Sequence, residues 1–171
     1  PDTKCSLAYI CLAKTVKIAF LSSIYLKNCE SIYKKRKGLI KKSYNEQQLV
    51  IEEETICSIG QWRHYLLDKG FESIMLCRNN FYIQNTWCRE NKFNPYSDDK
   101  EFDTIEEQVR RFKPDCIFVF GASYYSKNNR IERLVKCSSN ENRLVCWYGA
   151  PEGDEGIFMQ YVLVLTNSLT L

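Results

Sequence analysis

Five short apolar runs, separated by longer mixed segments, constrain the fold of this chain more than any other feature. Each run is almost continuously apolar instead of alternating with polar residues, which is typical of strands buried on both faces of a sheet. Turn-forming residues such as Ser22, Asn79, Gly121 and Gly149 follow the runs. We therefore predict five strands, at Val16–Leu21, Ser73–Cys77, Cys116–Phe120, Arg143–Tyr148 and Val162–Thr166.

The segments between the runs carry apolar residues at helical spacing. Ser43 and Glu46 have the spacing of a capping box and predict a long helix from there to about Lys69, with a bend at Gly60 and an end at Gly70. Further helices are predicted at residues 84–91, from Asp103 to Pro114 and around residues 131–135, and residues 153–160 form a short connector. Strands that alternate with helices need right-handed crossovers. The prediction is an α/β fold, Rossmann-like and doubly wound, with a mainly parallel sheet of about five strands and helices on both faces.

Length and charge limit the domain count and the partners. The chain has 171 residues, of which 44% are hydrophobic and 26% charged, and this suits one globular domain. We assign residues 1–15 to an N-terminal extension and residues 16–171 to the Rossmann-like domain. The formal net charge is +3, because 24 basic residues face 21 acidic ones, and this is too small to favour nucleic acid as a partner. No apolar run reaches the length of a transmembrane segment.

The nine cysteines predict a reduced, intracellular protein, and we expect a cytoplasmic location. Their number is odd, they form no C-x-x-C pair, and several lie within apolar runs, where cysteine acts as a small hydrophobic residue. The single histidine, His64, is predicted to lie on a helix surface. No cluster of residues has metal-ligand spacing, so no metal site is predicted.

Ligands of a doubly wound sheet bind outside the carboxyl ends of its strands. This rule selects residues that follow each predicted strand, and as a set they predict a binding edge that accepts hydroxyl or phosphate groups. Such residues also follow strands simply because turns need them. Glu152 is the candidate general base, with a solvated turn residue as the alternative. The candidate binding residues are Ser22, Ser23, Tyr25, Asn79, Gly121, Ser123, Gly149, Ala150 and Asn167.

Several common sites are excluded by their missing motifs. No G-x-G-x-x-G follows the first strand and no P-loop motif is present, which argues against a classical dinucleotide site and a P-loop NTPase. The acidic residues between Asp98 and Glu107 predict a solvated face at a helix N-terminus. The basic stretch 27–42, with Tyr25 and Tyr33, suits either an anionic partner or a solvated surface loop.

The order of several segments resembles the N-terminal half of GT-B-fold glycosyltransferases, in the branch that includes the spore-maturation CgeB-like proteins. The resemblance covers about residues 16–168. It is carried by Lys17–Lys27, Ser43–Gln47, Trp62, Tyr65–Phe71, Ile83–Asn91, Phe112–Asp115, Gly149–Gly153 and Val164–Ser168.

This resemblance implies a two-domain enzyme that moves a sugar from a nucleotide-sugar to an acceptor. The present domain would be the acceptor-side half, inactive alone, and its partner would be a C-terminal donor-binding domain of the same protein. The nucleotide-sugar would bind mainly to that second domain, so no cofactor is expected here, and the acceptor is a glycan, a protein or a small molecule. The sequence departs from the family in two places: Ser22-Ser23-Ile24-Tyr25 replaces a glycine-rich loop, and Tyr161-Val162 replaces an aspartate.

Other functional classes are also compatible with the sequence. A stand-alone binding or interaction module, flavodoxin-like or receiver-like and without catalysis, would share the fold. A receiver needs an acidic pair after the first strand, where Ser22 and Ser23 stand, and a flavodoxin needs a phosphate loop richer in serine and threonine. A third interpretation is an interaction domain that uses the basic stretch.

Overall fold

The structure is a computed structural model that describes residues 15–54, 59–138, 143–149 and 155–166. Its centre is a five-stranded sheet in which all neighbouring strands are parallel, in the order β2-β1-β3-β4-β5. The α/β, doubly wound fold predicted from the sequence is confirmed. The strands are β1 (Lys17–Ser22), β2 (Glu72–Cys77), β3 (Cys116–Phe120), β4 (Leu144–Trp147) and β5 (Leu163–Leu165).

Helices connect the strands. They are α1 (Leu26–Lys35), α2 (Tyr44–Glu54), α3 (Ile59–Asp68), α4 (Phe81–Glu90), α5 (Lys100–Phe112), α6 (Ala122–Tyr125) and α7 (Arg130–Cys137). Two 3₁₀ helices, Leu39–Lys41 and Glu155–Gln160, complete the described elements. The predicted connector 153–160 is helical where it is described.

The sheet separates two hydrophobic cores. Phe20 and Met75 pack with α1 and α2 on one face, and we call these helices together with α3 the α1–α3 layer. Leu21 and Val119 pack on the opposite face against α5, α6 and α7, the α5–α7 layer. Because successive side chains of a strand point to opposite faces, the central strand β1 contributes to both cores. Helix α4 contacts both α2 and α5.

Two glycines shape the α1–α3 layer, one where two helices approach closely and one where a helix ends. An ideal Cβ on Gly60 would stand 2.7 Å from the carbonyl oxygen of Glu52, so glycine lets α3 pass close to α2. Gly70 has a φ of +82° and ends α3, where the Phe71 N–H donates to the Leu66 carbonyl. The helix predicted from residue 43 to 69 corresponds to α2 and α3, and residues 55–58 between them lie outside the described part.

The predicted capping box at α2 is confirmed. The Ser43 N–H and hydroxyl donate to Glu46 Oε2 at 2.9 and 2.7 Å, and the Glu46 N–H donates to Ser43 Oγ at 3.4 Å. The predicted start of α5 at Asp103 is wrong, because Asp99 caps this helix by accepting from the Phe102 N–H. Asp103 lies inside the helix instead.

The basic stretch is not a loop. Its first part forms α1, which buries Cys29 and Ile32 and carries Lys34 and Lys35 in its last turn, where cations favour the helix dipole. Leu39, in the following 3₁₀ helix, is also buried. The loop interpretation of residues 27–42 is therefore wrong, because apolar residues at helical spacing hold the segment on the core.

The cysteines of the described segments are all free: Cys29, Cys77, Cys88, Cys116, Cys137 and Cys146. Burial raises the pKa of Cys77 to about 12 and that of Cys29 to about 11, which keeps both thiols protonated at neutral pH. Among the helices that the structure describes, none has the length and apolar character needed to cross a membrane.

Candidate functional site

The strand order places a switch point between β1 and β3. From β1 the chain crosses to β2 through the α1–α3 layer, and from β3 it crosses to β4 through the α5–α7 layer. Since Leu21 pairs with Val119, Ser22 and Phe120 end the two strands at the same level. The loops that follow therefore leave in opposite directions, and a crevice at this point is where ligands of doubly wound sheets bind.

The loop from β1 to α1 is held by the side chain of Asn79. Its Oδ1 accepts from the Ile24 N–H at 2.8 Å, and its Nδ2 donates to the Ile24 carbonyl at 2.7 Å. The Arg78 N–H also donates to the Ser22 carbonyl. Both ends of the Asn79 amide are thus engaged with the backbone, so this predicted binding residue positions the loop.

This clamped loop presents different groups to solvent. Ser22 is buried at 4% exposure, whereas Ser23 is exposed. Tyr25 is 84% exposed, an unusual position for an aromatic ring, and it precedes α1 without forming a side-chain cap. A tyrosine with an apolar face and a polar tip suits ligand contact. Ser23 and Tyr25 are therefore exposed beside the switch point.

The loop after β3 begins at the same switch point. Gly121 has a φ of +82°, which glycine adopts without strain, and α6 begins directly after it at Ala122. Ala122 is buried, while Gly121 and Ser123 are exposed. Gly149 is likewise exposed two residues after the end of β4. Three other predicted site residues, Ala150, Glu152 and Asn167, lie outside the described residues.

A stack of charged and aromatic groups lies between β2 and the α5–α7 layer. The ring of Tyr124 has the guanidinium of Arg78 at 3.8 Å and that of Arg130 at 3.9 Å. Each arginine is also paired with a carboxylate: Arg78 with Glu101 at 2.9 Å and Arg130 with Asp99 at 2.5 Å. Burial raises the pKa of Tyr124 to about 12, so the ring stays neutral between the two cations.

A second ionic group holds α5 to α7. Arg133 Nη2 lies 3.3 Å from Asp103 Oδ1 and 2.5 Å from Glu106 Oε2, and the Tyr96 hydroxyl donates to the same Glu106 oxygen. The Asp103 side chain is fully buried and that of Glu106 is 7% exposed. The solvated-face prediction is wrong for these two carboxylates, because Arg133, which lies 30 residues after Asp103 in the chain, covers them.

The sequence contained a partial signal for these arginines. Arg130 and Arg133 are three residues apart, which places them on one face of a helix. Their partners are remote in sequence, so spacing alone could not pair them. His64 lies on the surface of α3 as predicted, with Nε2 at 3.6 Å from the buried Glu52 carboxylate.

Among the described residues, no group of histidine, cysteine, aspartate and glutamate is arranged to hold a metal ion. Comparisons with protein-family models, with curated proteins and with solved structures each found no match.

Proposed function

We propose that this chain is the acceptor-side domain of a glycosyltransferase, which binds a hydroxyl-rich acceptor at the crevice between β1 and β3. A C-terminal domain of the same protein would bind the nucleotide-sugar and complete the active site. The observation that carries the proposal is the switch point itself, where exposed Ser23, Tyr25 and Ser123 flank the ends of two adjacent parallel strands.

The chemistry of these groups suits a sugar-like acceptor. Serine hydroxyls both donate and accept hydrogen bonds, as sugar hydroxyls do. The exposed ring of Tyr25 offers a flat apolar surface on which the C–H face of a sugar ring packs. Glycosyl transfer also needs a base for the acceptor hydroxyl if the reaction inverts, and stabilisation of the leaving diphosphate. In this proposal Glu152 is the base, and the diphosphate contacts belong to the second domain.

The proposal includes a cytoplasmic location. The free thiols of the described segments fit a reducing compartment.

An NMR titration of the isotope-labelled chain tests acceptor binding. Methyl glycosides of glucose, galactose and N-acetylglucosamine are added, with cyclohexanol as a ring-sized control that has a single hydroxyl. At least one glycoside should shift the amide signals of Ser23, Tyr25 and Ser123 in a saturable way. Tyr25→Ala should weaken that binding about fivefold, the loss of one aromatic contact. Tyr65→Ala, which removes an exposed ring from α3, is the matched control.

Uridine diphosphate, unlike the glycosides, is not expected to bind this chain. The isolated chain should bind it weakly or not at all by calorimetry, because the donor site is assigned to the other domain. Micromolar binding would show that the donor site has been misassigned. If no glycoside shifts the three loop signals, the acceptor-side function is wrong.

A second candidate is a stand-alone binding module without catalysis. The observation in its favour is the strand order β2-β1-β3-β4-β5, which is the order of flavodoxin-like folds. Quenching of flavin mononucleotide fluorescence on addition of the chain would favour this module, and saturable glycoside shifts without such quenching would favour the transferase half.

A further inference from the structure

A cleft of about 480 Å³ lies beside the edge strand β2, between α4, α5 and the loop that joins them. Arg78, at the carboxyl end of β2, forms one side. The volume of the cleft lies within the usual range for small-molecule sites. The residues that line it differ from the groups at the β1–β3 crevice, so the cleft is separate from the site proposed above.

Gln84, one of the residues that line the cleft, has a buried polar atom without a partner in the described part of the chain. Gln84 is 6% exposed, and its Nε2 donates to the Cys77 carbonyl at 2.9 Å. Its Oε1 is buried and has no hydrogen-bond partner among the described residues. A buried acceptor without a partner is costly, so a ligand N–H or O–H that reached it would recover a hydrogen bond.

The charges of the lining select an anion. Arg78 and Lys100 carry two positive charges and Glu101 carries one negative charge, which leaves one positive charge in excess. Arg78 is held in place by its pair with Glu101 at 2.9 Å and by the ring of Tyr124 at 3.8 Å. The contact with Glu101 uses one of the five N–H groups of Arg78. The preorganised guanidinium of Arg78 therefore remains able to bind a carboxylate.

Aromatic groups supply the apolar part of the lining. Phe81 is 60% exposed, and its ring lies tilted against that of Tyr82 with the centroids 4.4 Å apart. Phe93 also lines the cleft, and its ring is held against Trp87 at 5.8 Å. Rings that are already fixed lose little entropy when a flat ligand packs on them.

We propose that the α4–α5 cleft binds a small aromatic monocarboxylate that carries one hydroxyl or N–H donor. Arg78 and Lys100 bind the carboxylate, Phe81 and Phe93 contact the ring, and Gln84 Oε1 accepts from the donor. This assignment does not depend on the sugar acceptor site.

Three probes added to the wild-type chain test the three contacts, with 4-hydroxybenzoate as the reference compound. It should shift the amide signals of Gln84, Cys88 and Lys100 and leave those of Ser23 and Ser123 unchanged. Benzoate, which lacks the hydroxyl, should bind about fivefold more weakly, as expected for one hydrogen bond. The uncharged 4-hydroxybenzyl alcohol should bind at least about tenfold more weakly, because the charge-assisted contact is lost.

Two variants test whether Gln84 Oε1 accepts a hydrogen bond from the ligand. Gln84→Met removes the acceptor and should make the affinities for benzoate and 4-hydroxybenzoate equal. Gln48→Met is the matched control, because Gln48 is also buried with an unpartnered Oε1 but lies on α2, away from the cleft. It should keep the fivefold preference for 4-hydroxybenzoate.

The outcomes of the probe series are decisive even if Gln84→Met fails to fold, because the probes are compared on the wild-type chain. Equal binding of the three probes, no saturable binding, or shifts confined to the β1–β3 loops would overturn the proposal. Shifts at the cleft without any at Ser23, Tyr25 and Ser123 for the glycosides would support the cleft and refute the acceptor site.

Discussion

Each helical layer contains an arginine over a buried carboxylate, but the helices of the two layers are otherwise held together by different contacts. In the α5–α7 layer, Arg133 of α7 covers the buried carboxylates of Asp103 and Glu106 on α5. The α1–α3 layer relies on the close backbone approach at Gly60 and on neutral hydrogen bonds around the fully buried Gln47. It also contains the buried pair of Glu52 with Arg63 at 2.7 Å.

This difference has an energetic consequence. A buried carboxylate becomes a large penalty when its cation is removed, because the remaining charge has lost both water and partner. A close backbone contact is instead sensitive to added volume. The α5–α7 layer should therefore be weakened most by the loss of charge, and the α1–α3 layer should also be weakened by the gain of a methyl group.

The largest effect is expected for Arg133→Ala. Because it leaves Asp103 and Glu106 buried without their shared cation, it should lower the free energy of unfolding by about 3 kcal/mol. Arg36→Ala is the control, since Arg36 pairs with Glu54 at an exposed position and the change should cost less than about 1 kcal/mol. Urea unfolding followed by circular dichroism measures both. Equal losses in the two variants would show that the burial of Asp103 and Glu106 adds nothing to the cost of losing their cation.

Gly60→Ala tests the α1–α3 layer. Alanine is a better helix former than glycine by about 1 kcal/mol, so an unobstructed position would become more stable. Here the new methyl group would stand 2.7 Å from the Glu52 carbonyl, and the helices must move apart. We expect a net loss of about 1–2 kcal/mol in the same urea assay. Gln61→Ala, at an exposed position of the same helix, should be nearly neutral, and a stabilised Gly60→Ala would show that α2 and α3 are not in close contact.

Sequence patterns predicted the parts of this molecule that depend on local interactions. The strands, the capping box at Ser43 and the end of α3 at Gly70 follow from apolar runs and turn chemistry, which act over a few residues. The acidic set around Asp103 was misjudged because its partners are supplied by α7, and that pairing depends on tertiary structure. The role of Asn79 was also hidden, since its amide binds a loop that is 55 residues away in the sequence.

The sequence predicted which edge of the sheet carries the candidate residues. The rule for doubly wound sheets selected Ser23 and Ser123, and both are exposed at the switch point. The α4–α5 cleft was not predicted, because Arg78, Gln84 and Lys100 form no recognisable spacing and meet only when α4 and α5 pack beside β2.

The smallest effect concerns the pH dependence of the α1–α3 layer at the start of α2. Hydrogen bonds from the hydroxyl and N–H of Ser43, with Lys42 nearby, lower the pKa of Glu46 from 4.5 to about 2. Because the folded state favours the ionised carboxylate, its contribution is complete above the unfolded pKa and is lost as the pH falls from about 4.5 to about 2. Glu46→Gln should remove this part of the acid-induced loss of stability, while Glu53→Gln, which removes the same charge from an exposed position of α2, should retain it. Urea unfolding at a series of pH values gives the slope of the unfolding free energy against pH for each variant. Identical slopes for wild type and Glu46→Gln would mean that the capping box does not hold the carboxylate ionised.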